Sequence, residues 1–174
     1  MPRSKPSGRA TRSADLRPQV RAARPADLAA VSALAAVLWP DGSLREHRQH
    51  MRAVLAGRPP SSLPLVVFVA EQDGAILGFI EVGLRSHAEG CDGRRPAGFV
   101  EGWFVSARQR GRGLGRALMA AAEDWARGQG CREMGSDTWH DNLPSQRAHQ
   151  ALGYQLVERI VSFRKALRPR RGTP

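Results

Sequence analysis

Residues 105–118 read VSARQRGRGLGRAL, a run of glycine and arginine that follows an apolar strand pattern and leads into an amphipathic helix pattern. Gly111, Gly113 and Gly115 allow backbone N–H groups to approach a ligand closely, because glycine has no side chain to block the approach. The helix that begins here turns the positive end of its dipole toward the same place. The stretch therefore predicts a cradle for an anion of the size of a diphosphate.

Two common phosphate-binding loops do not match this stretch. A P-loop closes with Gly-Lys-Ser/Thr, and no lysine lies near residues 105–118. A dinucleotide-binding fingerprint belongs to an early parallel βαβ unit of a longer chain, whereas this loop lies in the second half of 174 residues. We therefore expect a different class of phosphate-containing ligand.

The positive charge of the chain lies mainly at its two ends. The net charge is +11, and residues 1–24, with seven Lys or Arg and one Asp, supply six of these charges. Arg168, Arg170 and Arg171 supply three more, which leaves +2 for residues 25–167. A nearly neutral body without interleaved aromatic and basic residues argues against a nucleic-acid partner. Deletion of the tails would separate binding through them from an activity of the body.

Length and composition predict one domain between two short tails. We expect a disordered basic tail over residues 1–18, a single domain over residues 19–167 and a basic tail over residues 168–174. No apolar stretch resembles a secretory signal or a membrane span, so we expect a cytoplasmic protein without a membrane partner. Cys91 and Cys131 are too few for a disulfide framework or a metal cluster, and we expect no bound metal.

Hydrophobic periodicity and turn residues predict ten elements in the order βααβββαβαβ, an α/β arrangement with a mixed sheet. Ser43 and Glu46 predict a capping box, and Asp73-Gly74 predicts a hairpin turn. Strands are predicted over residues 19–24, 63–71, 76–84, 99–105, 133–137 and 155–164, and helices over residues 25–38, 44–55, 114–127 and 144–152.

Two motifs in this order resemble the GNAT superfamily of N-acetyltransferases. Arg108-Gln109-Arg110-Gly111-Arg112-Gly113 is similar to the Arg/Gln-x-x-Gly-x-Gly/Ala signature of that superfamily. Asn142, a short helix and then Leu152-Gly153-Tyr154 resemble its second landmark. The resemblance implies the GNAT fold, an α/β (α+β) architecture in which a mixed, twisted sheet of six to seven strands has helices on both faces. It also implies acetyl-coenzyme A (acetyl-CoA) as the co-substrate.

Further stretches resemble one subclass of aminoglycoside 6′-N-acetyltransferases, over residues 19–167. The resemblance implies transfer of an acetyl group to the 6′-amine of a cationic aminoglycoside, hence antibiotic resistance, and a homodimer paired through its C-terminal strands. The resembling stretches are Leu38-Trp39-Pro40, Gly78-Phe79-Ile80-Glu81-Val82, Glu89-Gly90-Cys91-Asp92, Val100-Glu101-Gly102-Trp103-Phe104-Val105, Glu123-Asp124-Trp125-Ala126, Gly135-Ser136-Asp137 and residues 145–154.

The resemblance also implies how acetyl-CoA is held. A bulge in the strand that ends in Trp103-Phe104-Val105 separates it from the next strand, and the pantetheine arm pairs with the exposed backbone there. The glycine-rich loop holds the pyrophosphate. The implied contact residues are Trp103, Phe104, Val105, Arg110, Gly111, Arg112, Gly113, Leu114, Gly115, Arg116, Asn142 and His149.

Three carboxylates match acidic positions of the subclass, and the resemblance implies that they bind ammonium groups of the substrate. They are Glu101, Asp137 and Glu158. We expect Asp137 to bind the drug near the reacting amine. Either Glu101 or Asp137 could accept the proton of the amine, directly or through water, so the general base stays open between them.

The chain departs from the family pattern at the general acid and in the drug site. His149 lies where many GNAT enzymes have the tyrosine that protonates the leaving thiolate, so either His149 or water is the acid. Gly42 and His87 stand where the subclass has other residues, and Trp39 is a candidate wall of a sugar pocket. These differences concern which acceptor is preferred. A polyamine, another small amine or a protein lysine is the alternative acceptor.

Overall fold

The computed structural model describes residues 18–166, in two compact units that divide after Asp137. Apart from Pro18, the predicted basic tails lie outside the described residues. The prediction of a single domain over residues 19–167 therefore stays a prediction.

The first unit contains one five-stranded mixed sheet. Its strands follow the chain in the order β1-β2-β3-β4-β5, antiparallel except for the parallel pair β4–β5. The strands are β1 (Gln19–Ala22), β2 (Leu65–Gln72), β3 (Ala75–Arg85), β4 (Ala97–Val105) and β5 (Met134–Ser136). The helices of this unit are α1 (Leu28–Leu38), α2 (Leu44–Leu55) and α3 (Leu114–Gly128), and 3₁₀ turns over Pro25–Asp27 and Ala107–Gln109 precede α1 and α3.

Helices cover both faces of the sheet, as predicted. On one face, α1 and α2 form a core with β2 and β3 that includes Val31, Met51, Val67 and Phe79, all of them buried. On the other face, α3 approaches β4 so closely that a Cβ atom at Gly98 would lie 2.8 Å from the Cβ of Ala126.

The predicted local signals form as expected. The Ser43 hydroxyl accepts a hydrogen bond from the Glu46 N–H, and the Glu46 carboxylate accepts one from the Ser43 N–H, which completes the capping box. Asp73 and Gly74 both have positive φ, +52° and +78°, in the tight turn that joins β2 to β3. A type I′ hairpin turn requires this pair of backbone conformations.

The second unit contains one helix, α4 (Leu143–Gln150), among its described residues. The predicted strand over residues 155–164 is not formed, so the prediction of six to seven strands is wrong for the described chain, which has five. A strand needs a neighbouring strand to satisfy its N–H and C=O groups, and residues 138–166 contain no other strand. The segment instead leaves apolar side chains exposed, namely Leu156, Val157, Ile160, Val161 and Phe163.

Candidate active site

The glycine-rich loop lies between β4 and α3 and has the backbone that its sequence predicts. Gly111 and Gly113 have φ values of +74° and +84°, a region that side-chain-bearing residues rarely adopt. A Cβ atom at either position would meet nothing within 4 Å, so open space lies next to both. Gly113 is the N-cap of α3, and the first helical amides after it have no acceptor within the helix. The loop can therefore bind an anion through its backbone.

Gly115 also has a packing role, and its predicted contact with the co-substrate stays a prediction. A Cβ atom at this position would lie 2.8 Å from Cζ2 of Trp103, so the bare glycine leaves room for the indole ring. Leu114 is buried and offers only its backbone to a ligand. Arg110 donates from Nε to the Val105 carbonyl at 3.0 Å, which ties the loop to the end of β4.

The strands β4 and β5 part just ahead of this loop. They pair only from Gly98↔Met134 to Val100↔Ser136, and beyond that pair β4 continues to Val105 with β3 as its strand neighbour. The register of β3 against β4 shifts at the same place, where Glu81 pairs with Gly102 and Val82 with Val100. Glu101 is thus the extra residue of a bulge in β4. Beyond the bulge, β5 no longer pairs with β4, which leaves this edge of β4 as the candidate place for an extended ligand.

Glu101 directly follows Val100 on β4, and Asp137 directly follows Ser136, the last residue of β5. Both therefore lie where the two strands stop pairing. Arg85, the last residue of β3, donates to both Glu101 carboxylate oxygens, at 3.0 and 2.6 Å. The Arg85 guanidinium also lies 3.4 Å above the centre of the Phe99 ring. Glu101 raises the pKa of Arg85, and the charges of Asp137 and Glu89 add to this effect. The charges of three carboxylates thus act on one arginine, and the excess of negative charge suits a cationic substrate.

A second acidic group lies in a cavity of about 410 Å³ between the α1–α2 region and the sheet. Glu81 is buried there and accepts a hydrogen bond from Nε2 of His50 at 2.5 Å. This hydrogen bond raises the pKa of His50, and burial offsets part of the effect. Glu101 lines the same cavity, so the cavity joins the acidic cluster at the bulge.

Trp39 lines this cavity and also packs against the core. The Trp39 ring covers the backbone of Gly102, because a Cβ atom at Gly102 would lie 2.3 Å from Cζ2 of Trp39. His47 stacks on Trp39 and donates from Nε2 to its backbone carbonyl at 2.9 Å. Gly42 closes the turn after α1, and a side chain there would meet the His47 ring at 2.8 Å. His87 is exposed, with Nε2 3.8 Å from Glu89.

The three remaining predicted residues belong to the second unit. Asn142 caps α4, where its side-chain oxygen accepts from the Ser145 N–H at 3.2 Å. His149 donates from Nδ1 to the Ser145 carbonyl at 2.8 Å and meets the Tyr154 ring edge to face. Glu158 is exposed in the segment after α4. Their proposed roles toward acetyl-CoA and substrate stay predictions.

The sequence reasoning missed Arg85, Glu81 and His50 as members of the site. Glu81 belongs to a family-like stretch, but its burial on β3 has no local signal in the sequence. His50 and Arg85 acquire their roles through pairing with carboxylates on other elements, 31 and 16 residues away.

Neither a metal centre nor a membrane span is found in the described part of the chain. No three His, Cys, Asp or Glu side chains among residues 18–166 are grouped so as to hold a metal ion. None of the helices described is both long enough and apolar enough to cross a bilayer.

Comparison with known proteins gives consistent matches over most of the chain. Residues 28–154 match the model of the acetyltransferase (GNAT) family. An aminoglycoside N(6′)-acetyltransferase type 1 of Klebsiella aerogenes is 40% identical over 88% of this chain and 99% of its own length. A protein of the same name from Stenotrophomonas maltophilia is 38% identical over 87% of this chain and 95% of its own length. The solved structure of AAC(6′)-Iy with the bisubstrate analogue CoA-S-monomethyl-acetylneamine matches with a TM-score of 0.78 and 34% identity, over 87% of this chain and 99% of that one.

Proposed function

Because the chain belongs to the GNAT acetyltransferase family, we propose that it transfers the acetyl group of acetyl-CoA to the 6′-amine of an aminoglycoside. The observation that carries the proposal is the parting of β4 and β5 immediately before the glycine-rich loop, with Glu101 and Asp137 at the point of parting. Near-full-length relatives named for the same activity support the choice of acceptor.

The residues present fit acetyl-CoA. The open, positive-φ glycines 111 and 113 and the first amides of α3 would hold the pyrophosphate, and Arg110, Arg112 and Arg116 add positive charge near them. The β4 backbone beyond Val100 would pair with the pantetheine arm. Solved complexes of AAC(6′)-Iy contain CoA or a CoA analogue, which supports the same assignment.

We assign the remaining steps of the reaction to individual groups of the chain. Bound acetyl-CoA supplies an acetyl thioester, and an amide N–H of residues 103–105 would donate to the oxygen on which negative charge develops. Asp137 is exposed at the end of β5 and would hold the reacting amine and accept its proton, directly or through water. Arg85 engages both oxygens of Glu101, so we assign Glu101 to binding and orientation of the substrate. The acid is His149 or water.

Thiol release from acetyl-CoA by the purified chain tests this function. We expect turnover with neamine and sisomicin, and the product of neamine should carry its acetyl group on the 6′-nitrogen by NMR. Spermidine and a lysine-containing peptide represent the alternative acceptors. Turnover with spermidine or the peptide and none with either aminoglycoside would replace the proposed acceptor while keeping the reaction.

We also propose that the protein is a homodimer. The support is the row of exposed apolar side chains in residues 156–163, which have no strand partner among the described residues of their unit. Pairing of this segment with a second copy would satisfy its backbone and bury these side chains. Because acetyl-CoA is a metabolite of the cytoplasm, we expect the reaction to take place there.

A further inference from the structure

The cavity next to the acidic cluster contains an ion pair for which the proposed transfer reaction has no use. Glu81 lies in the middle of β3, with 2% of its side chain exposed, and His50 projects from α2 with 35% exposed. Their Oε1 and Nε2 atoms are 2.5 Å apart. A buried carboxylate needs a compensating positive charge, because burial strongly disfavours an unpaired ion. In the described structure, His50 is the ion-pair partner of Glu81.

The pair borders open space rather than core. Trp39, His47 and Glu101 line the same cavity of about 410 Å³, together with Pro60, Ser61 and Leu65. This volume is within the range of small-molecule sites. The accessible part of the pair is the His50 imidazole, which a ligand that enters the cavity meets first and behind which Glu81 lies.

The charged and titratable neighbours of His50 come from three elements. Glu81 on β3 contacts it directly, and Glu101 on β4 acts on it electrostatically, while Arg85 neutralises much of the Glu101 charge. On its own helix, His47 uses Nε2 for the Trp39 carbonyl. The hydrogen bond to Glu81 raises the pKa of His50 above its ordinary value of 6.5, so the pair carries a proton that can be exchanged near neutral pH.

We propose that Glu81 is a specificity-determining residue that binds a non-reacting ring ammonium of the acceptor, and that this ammonium displaces the proton of His50. The inference rests on the proposed function. An aminoglycoside carries several ammonium groups, of which one reacts, so the others need acidic partners. The exchange conserves charge in the cavity, since one ammonium enters and one proton leaves to solvent. The neutral Nε2 of His50 then accepts a hydrogen bond from the bound ammonium.

The proposal fixes the direction of a pH effect. Because binding releases a proton, the acceptor binds more weakly when His50 is protonated, and its affinity rises with pH through the pKa of His50. Replacement of His50 by Gln keeps a hydrogen-bond donor but removes the competing charge. We expect His50→Gln to lower KM for neamine about threefold to tenfold at pH 6.5, and the factor should shrink as the pH rises.

Isothermal titration of the full chain with neamine, with CoA present, measures the proton release directly. Each titration is run at pH 7 in two buffers of different protonation enthalpy, which yields the number of protons released per bound neamine. Neamine itself titrates in this range, so the informative quantity is the difference between wild type and His50→Gln. We expect the wild type to release more protons, by up to one per site.

His47→Gln is the matched control, because His47 lies one turn earlier and lines the same cavity but bonds a backbone carbonyl. It should keep the proton release of the wild type. Glu81→Gln should abolish the difference and raise KM for neamine at least tenfold, and Glu81→Asp should restore part of the affinity. Equal proton release by wild type and His50→Gln overturns the proposal.

A measurement on the wild type covers the case in which these variants fail to fold. The pKa of His50, followed through its ring proton by NMR, should fall by about one unit or more when neamine binds, and an unchanged pKa overturns the proposal. Turnover of neamine is recorded on the same samples. Turnover without a response of His50 rejects this inference alone, whereas absence of both binding and turnover rejects the proposed function with it.

Discussion

Asp137 is the residue on which the proposed chemistry depends most. It follows the last residue of β5, and its charge acts on Arg85 together with those of Glu101 and Glu89. We expect Asp137→Asn to lower kcat with neamine at least about tenfold, because the amide neither accepts the proton of the amine nor attracts the ammonium. The Kd of CoA, measured by calorimetry, should stay near the wild-type value.

The control for this variant is Asp124→Asn, which removes an exposed carboxylate of α3 that pairs with Arg127. It should retain wild-type kinetics. Unchanged turnover of Asp137→Asn would exclude Asp137 from the site, and weakened CoA binding would assign it to the co-substrate instead.

Asp27 is a second single residue for which the structure supports a prediction, here about the stability of the fold. Its carboxylate accepts from Arg21 at 2.7 and 2.9 Å and from the Arg24 N–H at 2.7 Å, so it joins β1 to the start of the first helix. The hydrogen bonds from Arg21 lower the pKa of Asp27, despite its burial. We expect Asp27→Asn to lower the free energy of unfolding by about 2 kcal/mol at pH 7.

The pH dependence of this difference follows from the lowered pKa. A carboxyl group with a lowered pKa contributes its stability above its unfolded pKa and loses it as the pH falls through the folded one. The gap between wild type and Asp27→Asn in urea unfolding should therefore narrow from pH 7 to pH 3. Asp41→Asn, at an exposed turn, should show no gap at any pH. A constant gap for Asp27→Asn would assign its effect to packing.

The sequence predicts those candidate site residues that belong to continuous motifs, and it gives no signal for those defined by pairing across elements. Asp137 and Glu101 could be found because each ends or interrupts an apolar strand within a family-like stretch. Arg85 could not, because its contact with Glu101 depends on the β3–β4 register. The pairing of His50 with Glu81 likewise depends on how α2 packs on the sheet, which no local pattern specifies.

At the scale of elements, α3 has one glycine near its start that has no room for a side chain and one at its end that has room. At Gly115 a methyl group would lie 2.8 Å from the Trp103 ring, which must then shift within a packed layer. We expect Gly115→Ala to lower the free energy of unfolding by about 1–3 kcal/mol and to weaken CoA binding, because the ring supports the β4 backbone. Thermal unfolding and calorimetry measure both effects.

Gly128 closes the same helix and supplies the comparison. A Cβ atom there meets nothing within 4 Å, and the residue still belongs to the helix. Gly128→Ala should therefore be neutral or stabilise by up to about 1 kcal/mol, as expected from helix propensity. Equal effects of the two substitutions would contradict the packing role of Gly115.

The elements that sequence predicted well are those with a complete local signal. The capping box at Ser43 and the Asp73-Gly74 turn are both present, since each is satisfied by neighbouring residues. The predicted strand over residues 155–164 has suitable residues but no partner among the described strands of its unit, and side-chain patterns carry no information about the partner. A strand can thus be predicted from the sequence only where its partner strand can be predicted as well.

At the scale of the whole molecule, the exposed segment over residues 156–163 makes the proposed dimer testable. Ile160 and Phe163 are 74% and 93% exposed, and full burial of a side chain of this size contributes about 1.5–3 kcal/mol. We expect the wild type to sediment as a dimer at micromolar concentration. The double variant Ile160→Lys with Phe163→Lys should sediment as a monomer, because two charges would have to be buried in the interface.

Ser162→Lys is the matched control, because it adds a positive charge to the same segment at an exposed polar position. It should leave the sedimentation coefficient close to that of the wild type. A monomeric wild type would reject the dimer, and dissociation of Ser162→Lys to the same extent as the double variant would mean that general charge repulsion, and not burial of Ile160 and Phe163, governs the association. Thermal unfolding of each variant separates dissociation from loss of the fold, since the core of the first unit contains none of these residues.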